Sequence, residues 1–241
     1  MIRVKTTAII LAGGVGKRMG APMPKQFLEI KGKPVLVHTI SNFQRNGSID
    51  SVVVVCVPDW IDRTKELIER YGLTKVSAVI PGGETSHDST RNGMFHLRNE
   101  LGEGDIVIVH DAARPILPQK AIDEMLRIAR NEGNASLAIP CYETVIYTDD
   151  QLSGNRELDR SHLMRVQTPQ AYEYSGILDL YERAEREDRH DFIYADIVAV
   201  EYGMTVYFSK GFANNIKITK QEDIPLCEYL TEIPEDQLFD L

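Results

Sequence analysis

The chain has 241 residues, enough to bury a full core in one α/β domain. Its 43% hydrophobic and 26% charged content is that of an ordinary globular protein. The net charge of −9 excludes a general nucleic-acid binder, which needs a basic face, but leaves room for a local basic pocket.

The first apolar run, TAIIL (7–11), is far too short to cross a bilayer and leads into a glycine-rich loop rather than a cleavage site. No membrane association is expected, and the reading is a cytoplasmic protein. Cys56, Cys141 and Cys227 are odd in number and show no CxxC spacing, so they read as reduced packing cysteines.

TAIIL, SVVVVCV (51–57), VSAVI (76–80), DIVIVH (105–110) and ASLAIP (135–140) read as strands, apolar on nearly every residue as in a sheet covered on both faces. Between them, segments beginning at Val35, Trp60, Asp88 and Gln119 have helical spacing, with Gly72 and Gly133 placed as C-terminal stops. This alternation predicts a Rossmann-like α/β three-layer sandwich with a mostly parallel sheet. After Pro140 the pattern changes. Two short alternating runs flank a turn-rich DDQLSGN, which predicts a projecting β-arm at about 141–165. Helical spacing returns at SGILDLYERAERED, followed by strands MTVYFSKG and NIKIT and a last helix QEDIPLCEYL. One domain over 1–241 with one arm is the economical description.

The loop after the first strand, LAGGVGKRMG, fails two familiar phosphate-binding patterns. Gly14, Gly16 and Gly20 give GxGxxxG, one residue longer than the dinucleotide fingerprint, and no acid follows about 20 residues on. Gly16-Lys17 is followed by Arg18, so the hydroxyl that a P-loop gives to magnesium is missing. What remains is a glycine loop at a strand's carboxyl end. Backbone N–H groups from Leu11, Ala12, Gly13, Gly14 and Gly16 can approach a triphosphate there, and Arg18 and Lys25 add full charge. The bland alternative is a strand–helix turn with incidental surface cations.

LAGGVGKRMG with PMPKQFL, VHDAARP (109–115), QTPQAY (167–172) and NIKIT (215–219), in that order, resembles the family of 2-C-methyl-D-erythritol 4-phosphate and ribitol-5-phosphate cytidylyltransferases. The resemblance runs from residue 8 to about 230. It implies transfer of CMP from CTP to a small polyol phosphate, with Mg²⁺ as cofactor. Asp111, at a strand's carboxyl end, is then the metal ligand, where the bland alternative is a turn cap. Arg18, Lys25 and Lys217 are the implied catalytic cations. Arg114, Thr144 and Arg160 match the family's acceptor-phosphate residues. The arm of relatives crosses to a second subunit, so a homodimer is implied.

IPGGETSHDSTRNG (80–93) is the expected base-reading segment, with Gly82 and Gly83 closing on the pyrimidine and Ser89 on base or ribose; the bland alternative is a turn before a helix capped by Ser89. Two departures stand out. Ser86 occupies a position where the family usually carries arginine. Tyr194-Ala195 replaces a Thr-Asp pair at the acceptor pocket, which makes Tyr194 a candidate acceptor-binding residue and favours a pentitol phosphate over methylerythritol phosphate. His87, His110, His162 and His190 form no zinc spacing. A catalytically silent nucleotide-binding module is the alternative of a different class. Four charges kept together (Arg18, Lys25, Asp111, Lys217) argue against it.

Overall fold

In strand β1 (Thr6–Ala12) successive side chains go to opposite faces, Ala8 and Ile10 into one apolar layer and Ile9 into the other. This two-sided burial explains the absence of polar alternation, and it recurs in the strands beside β1. The computed structural model describes residues 3–14 and 23–238.

After β1 come a small hairpin of β2 (Glu29–Ile30) and β3 (Lys33–Pro34), then α1 (Val35–Gln44), β4 (Ser51–Cys56) and α2 (Ile61–Arg70). β5 (Val76–Pro81), α3 (Ser86–His96), β6 (Ile106–Asp111), α4 (Gln119–Glu132) and β7 (Asn134–Pro140) complete the alternating part. The arm hairpin is β8 (Val145–Tyr147) with β9 (Arg156–Leu158), a two-stranded sheet of its own. Then follow β10 (Met164–Glu173), α5 (Tyr174–Arg186), α6 (Ala195–Glu201), β11 (Phe208–Lys210), α7 (Asp223–Leu230) and α8 (Glu235–Leu238).

The main sheet has the order β11-β7-β10-β6-β1-β4-β5, and only β10 runs antiparallel to its neighbours. α1, α2 and α4 cover one face and α3, α5 and α6 the other, giving the expected three layers. Gly93 lets α3 lie this close, since a Cβ there would meet Ile9 at 2.8 Å. Chain direction across the sheet reverses between β1 and β6, and ligands of open α/β sheets bind at such a crevice.

The five early strands and four early helices fall where the sequence predicts them, within a few residues. Gly72 (φ +62°) and Gly133 (φ +87°) do terminate α2 and α4 in left-handed geometry. Three expectations need correction. NIKIT is not a strand: it is an irregular segment held to the loop that follows the central strand β6 by the Ile218 N–H donating to the Ala113 carbonyl. The strand expected in MTVYFSKG is only β11. α3 begins at Ser86 and is capped by Thr85, whose hydroxyl accepts from the Asp88 N–H while Asp88 accepts from the Thr85 N–H, so Ser89 is not the cap.

Three histidines are desolvated by this packing. Burial pulls His38, His87 and His110 below the ordinary value of 6.5, His110 to about 4. His87 stacks on Tyr181 with both ring nitrogens unpartnered. The unfolded chain takes up these protons near pH 6.5 and the fold only at lower pH. Their stabilisation is therefore present above about 6.5 and lost as pH falls toward the folded values, on the order of 3 kcal/mol for His110 by about pH 4. Urea midpoints should drop between pH 7 and 5, and His87→Phe should flatten that slope. An equal slope in the variant would contradict this origin.

Candidate active site

The register pairs Leu11 on β1 with Asp111 on β6, so the glycine loop and the acid leave the sheet side by side. They open into a cleft of about 310 Å³. Its walls include Leu11, Gly13, Gly14, Lys25, Gly83, Ser89, Asp111 and Lys217. These eight predicted site residues, from five separate stretches, come together in one place. Ala12 is buried just behind the cleft, and Gly82 is pinned to the end of β4 by its N–H donating to the Cys56 carbonyl. Gly16 and Arg18 lie outside the described residues.

Lys25 enters on a short 3₁₀ turn (Lys25–Phe27) after the glycine loop. The next residue, Gln26, is buried and donates from its amide to the Ala12 carbonyl at 2.6 Å, locking this turn to the end of β1. Lys25 Nζ donates across the cleft to the Ile218 carbonyl at 2.6 Å.

The electrostatic centre is Asp111. Its Oδ2 lies 2.9 Å from Lys217 Nζ and 3.2 Å from Arg114 Nε, and the side chain is only 9% exposed. Burial alone would raise this carboxyl, but Lys217 and then Arg114 outweigh burial and hold it below the usual carboxylate range. Lys217 is the mirror case. Burial would lower it, and Asp111 and Tyr194 together raise it. Tyr194 is both a hydrogen-bond partner of Lys217 (3.2 Å from hydroxyl to Nζ) and a ring under it, 5.3 Å from ammonium to centroid.

The remaining sequence blocks support this cluster from behind. Arg114 also donates to the Asn215 carbonyl at 2.6 Å. The Asn215 amide donates to the Thr168 carbonyl at 2.8 Å, and the Thr168 hydroxyl accepts from the Asp111 N–H at 3.2 Å. VHDAARP, QTPQAY and NIKIT thus meet at one residue, Asp111, the first and last at its carboxylate and the second at its backbone N–H. A second cavity of about 280 Å³ opens on the other side of Lys217, with Arg114, Arg165 and Gln167 in its walls. Thr144 and Arg160 line neither cavity of their own chain. Both are exposed on the arm, where Arg160 donates to the Tyr142 carbonyl at 2.6 Å.

The segment expected to read the base forms the far wall. Ser89 is buried, accepts from the Gly83 N–H at 3.1 Å and donates to the Thr85 carbonyl at 3.0 Å. Its hydroxyl therefore shapes the loop as well as facing the cleft. Gln26, Glu84 and Thr85 also line the cleft and were not singled out from the sequence, and Ser86, noted there as a departure, lines it too. Thr85 carried a readable signal, the T-x-x-D spacing of a capping pair.

Among the described residues no group of three or more His, Cys, Asp or Glu side chains is placed to hold a metal. Magnesium suits this site in another way: one ionised carboxylate, Asp111, combined with a substrate's phosphate oxygens. A glycine-rich strand end, a buried carboxylate and cations on both walls of a crevice at the sheet's reversal are what a nucleotidyltransferase needs.

The model for 2-C-methyl-D-erythritol 4-phosphate cytidylyltransferase matches residues 6–232. A ribitol-5-phosphate cytidylyltransferase of Lacticaseibacillus paracasei is 38% identical over 229 residues, covering 94% of this chain and 98% of that protein. A 2-C-methyl-D-erythritol 4-phosphate cytidylyltransferase of Clostridium botulinum is 36% identical, covering 95% and 98%. The crystal structure of 4-diphosphocytidyl-2C-methyl-D-erythritol synthase from Anaerococcus prevotii superposes with a TM-score of 0.80 at 26% identity, covering 95% and 97%. The chain belongs to the 2-C-methyl-D-erythritol 4-phosphate cytidylyltransferase family and is a CTP-using cytidylyltransferase.

Gly83 has no room for a side chain, because a Cβ there would fall 2.2 Å from the Asp88 Cβ. Gly83→Ala must displace either the loop or the cap of α3. Steady-state kinetics should show KM for CTP raised about tenfold or more, with a smaller change in kcat. An unchanged KM would remove this segment from nucleotide binding.

Proposed function

We propose that the protein transfers CMP from CTP to a small polyol phosphate of the ribitol-5-phosphate kind, giving a CDP-polyol and pyrophosphate. The observation that carries this is the convergence of Lys25, Asp111 and Lys217 in one cleft beside the glycine loop. The acceptor phosphate is already an anion, so no protein nucleophile is needed. One of its oxygens bonds to the α-phosphorus of CTP as the bond from that phosphorus to the bridging oxygen breaks, and pyrophosphate leaves with the electron pair. The protein's part is positioning and charge neutralisation. Lys25 and Lys217 flank the α-phosphate from opposite walls, and Arg18 joins them from the glycine loop. Leu11, Ala12, Gly13, Gly14 and Gly16 hold the triphosphate, while Gly82, Gly83 and Ser89 bound the cytosine. Mg²⁺, held by Asp111, supplies charge neutralisation on the phosphate oxygens when bound.

For the acceptor, the cavity on the far side of Lys217 offers Arg114, with Tyr194 shaping the approach through Lys217. A phenol resting on Lys217 supports a polyol other than methylerythritol, as does the 38% identity to a ribitol-5-phosphate enzyme. The second reading, methylerythritol phosphate as acceptor, is favoured by the family model and by the similarity to the Clostridium botulinum protein. A silent binding module is disfavoured, since such a module needs no buried ion pair joining an acid to a cleft lysine. The free, buried Cys56 and Cys227 thiols accord with a reducing cytoplasm, and no helix among the described residues is long and apolar enough to cross a membrane.

The discriminating experiment is pyrophosphate release with CTP against ribitol 5-phosphate, methylerythritol phosphate and related polyol phosphates. Ribitol 5-phosphate should give the highest kcat/KM, and excess chelator should abolish turnover. Equal release with UTP, or full activity in chelator, would overturn the nucleotide or metal assignment; a preference for methylerythritol phosphate would establish the second reading.

The arm supports a shared site. A lone two-stranded ribbon is marginal in water, yet Tyr142, Ile146 and Leu152 stand 69%, 55% and 91% exposed on it. Ile193, just before α6, Ile197 and Val200 on it, and Phe208 on the edge strand β11 are exposed apolar side chains as well. We infer a homodimer in which each arm delivers Thr144 and Arg160 to the partner's acceptor site. Lys25→Ala and Arg160→Ala chains should each lose about 10²–10³-fold in turnover, and mixing them should restore part of it through one intact hybrid site. Mixed dimers as inactive as either parent would contradict the shared site.

A further inference from the structure

Behind the Asp111 loop lies another cavity, of about 240 Å³, whose walls share no residue with the nucleotide cleft. It sits between α1, the segment after Arg114 and the C-terminal turns. Ile116, Leu117, Leu230 and Leu238 make an apolar floor. The polar wall carries Lys33 and Arg45, with Ser41 between them accepting from Lys33 Nζ at 2.9 Å. Glu235, paired with Arg45, is the only carboxylate in the lining among the described residues, so there two cations face one anion. His38 completes the titratable set and donates its Nε2 proton to the Ile30 carbonyl. Burial and then the nearby Arg45 pull the Lys33 ammonium below its ordinary value, so a second anion here would relieve an existing strain of charge.

The cavity is also wired to the catalytic loop. On α1, which forms one wall, the Thr39 hydroxyl donates to the Ala112 carbonyl at 2.7 Å. The Asn42 amide donates to the Pro115 carbonyl at 2.9 Å. Both carbonyls belong to the stretch that carries Asp111 and Arg114. A volume below the roughly 300 Å³ of ordinary ligand pockets restricts the occupant to a small molecule.

We propose that this cavity is a second ligand site, taking a small amphipathic carboxylate whose anion bridges Lys33 and Arg45 and whose alkyl chain lies on the apolar floor, and that its occupancy is felt at Asp111 through α1. The binding part stands independently. The coupling part rests on the cytidylyl-transfer reading.

The test is isothermal titration of the full chain with hexanoate. Saturable binding is expected and should persist in saturating CTP, its affinity moved by no more than the few-fold that the coupling implies, with butanoate weaker by about fourfold for each methylene removed from the floor. Hexylammonium should not bind. Lys33→Met and Arg45→Gln should each weaken hexanoate about tenfold or more, with thermal midpoints near that of the parent. Hexanoate should also shift kcat/KM for CTP about twofold or more in the parent and leave Lys33→Met unmoved. Equal binding of hexylammonium, displacement by CTP, undiminished affinity in both variants, or no heat would overturn the site. Binding as expected with kcat/KM unmoved in an active enzyme would overturn the coupling alone, and absence of any cytidylyl transfer would fall on the functional reading instead.

Discussion

A buried carboxylate, Asp111, held ionised between Lys217 and Arg114, is the contact on which the rest of the molecule depends. Its desolvation would be unsupportable without those two partners, and removing one alone would leave a buried charge uncompensated. Each partner comes from a different part of the chain. Arg114 lies on the loop that follows Asp111 itself, and Lys217 arrives about a hundred residues later on a segment with no strand partner. The fold must bring these pieces together within hydrogen-bond distance, and much of its later half serves that end. Thr168 receives the Asp111 N–H, and Asn215 ties Thr168 to Arg114.

The same cluster explains why the later segments are irregular. A residue in a regular central strand spends its N–H and C=O on the ladder. Asn215 and Ile218 instead give carbonyls to Arg114 and Lys25, so the segment serves as a frame for cations from both walls. Alternation of polar and apolar residues in NIKIT has another cause than a pleat. Ile218 is buried in a small cluster with Ile30, Val35 and Cys227, while Lys217 turns to the cleft. The sequence pattern was sound evidence for which side chains point inward and poor evidence for backbone pairing.

That distinction describes what was legible. The five early strands could be read because burial on both faces writes continuous β-branched runs, and the glycine stops because left-handed geometry admits little else. α6 could not, since ADIVAVE is short and rich in β-branched residues. Its identity depends on Val198 and Ala199 packing under α5, a tertiary fact. At the site, charged residues announced themselves by type: Lys25, Asp111 and Lys217 lie together as expected. Gln26 did not, because its role is a single amide bond to the Ala12 carbonyl that no spacing encodes. Tyr194 was visible as a departure, but its contact with Lys217 needed coordinates. Ser86 lines the cleft without a cation in its own position, and nothing in the structure explains that substitution.

The account stands or falls on where the α-phosphate of CTP sits. A crystal structure of the protein with CTP and Mg²⁺ measures this directly. The α-phosphate should lie between the Nζ atoms of Lys25 and Lys217, with the metal on Asp111 and the cytosine against Gly82, Gly83 and Ser89. A nucleotide bound with its α-phosphate away from both lysines, or with the Asp111–Lys217 pair untouched by metal and phosphate, would contradict it.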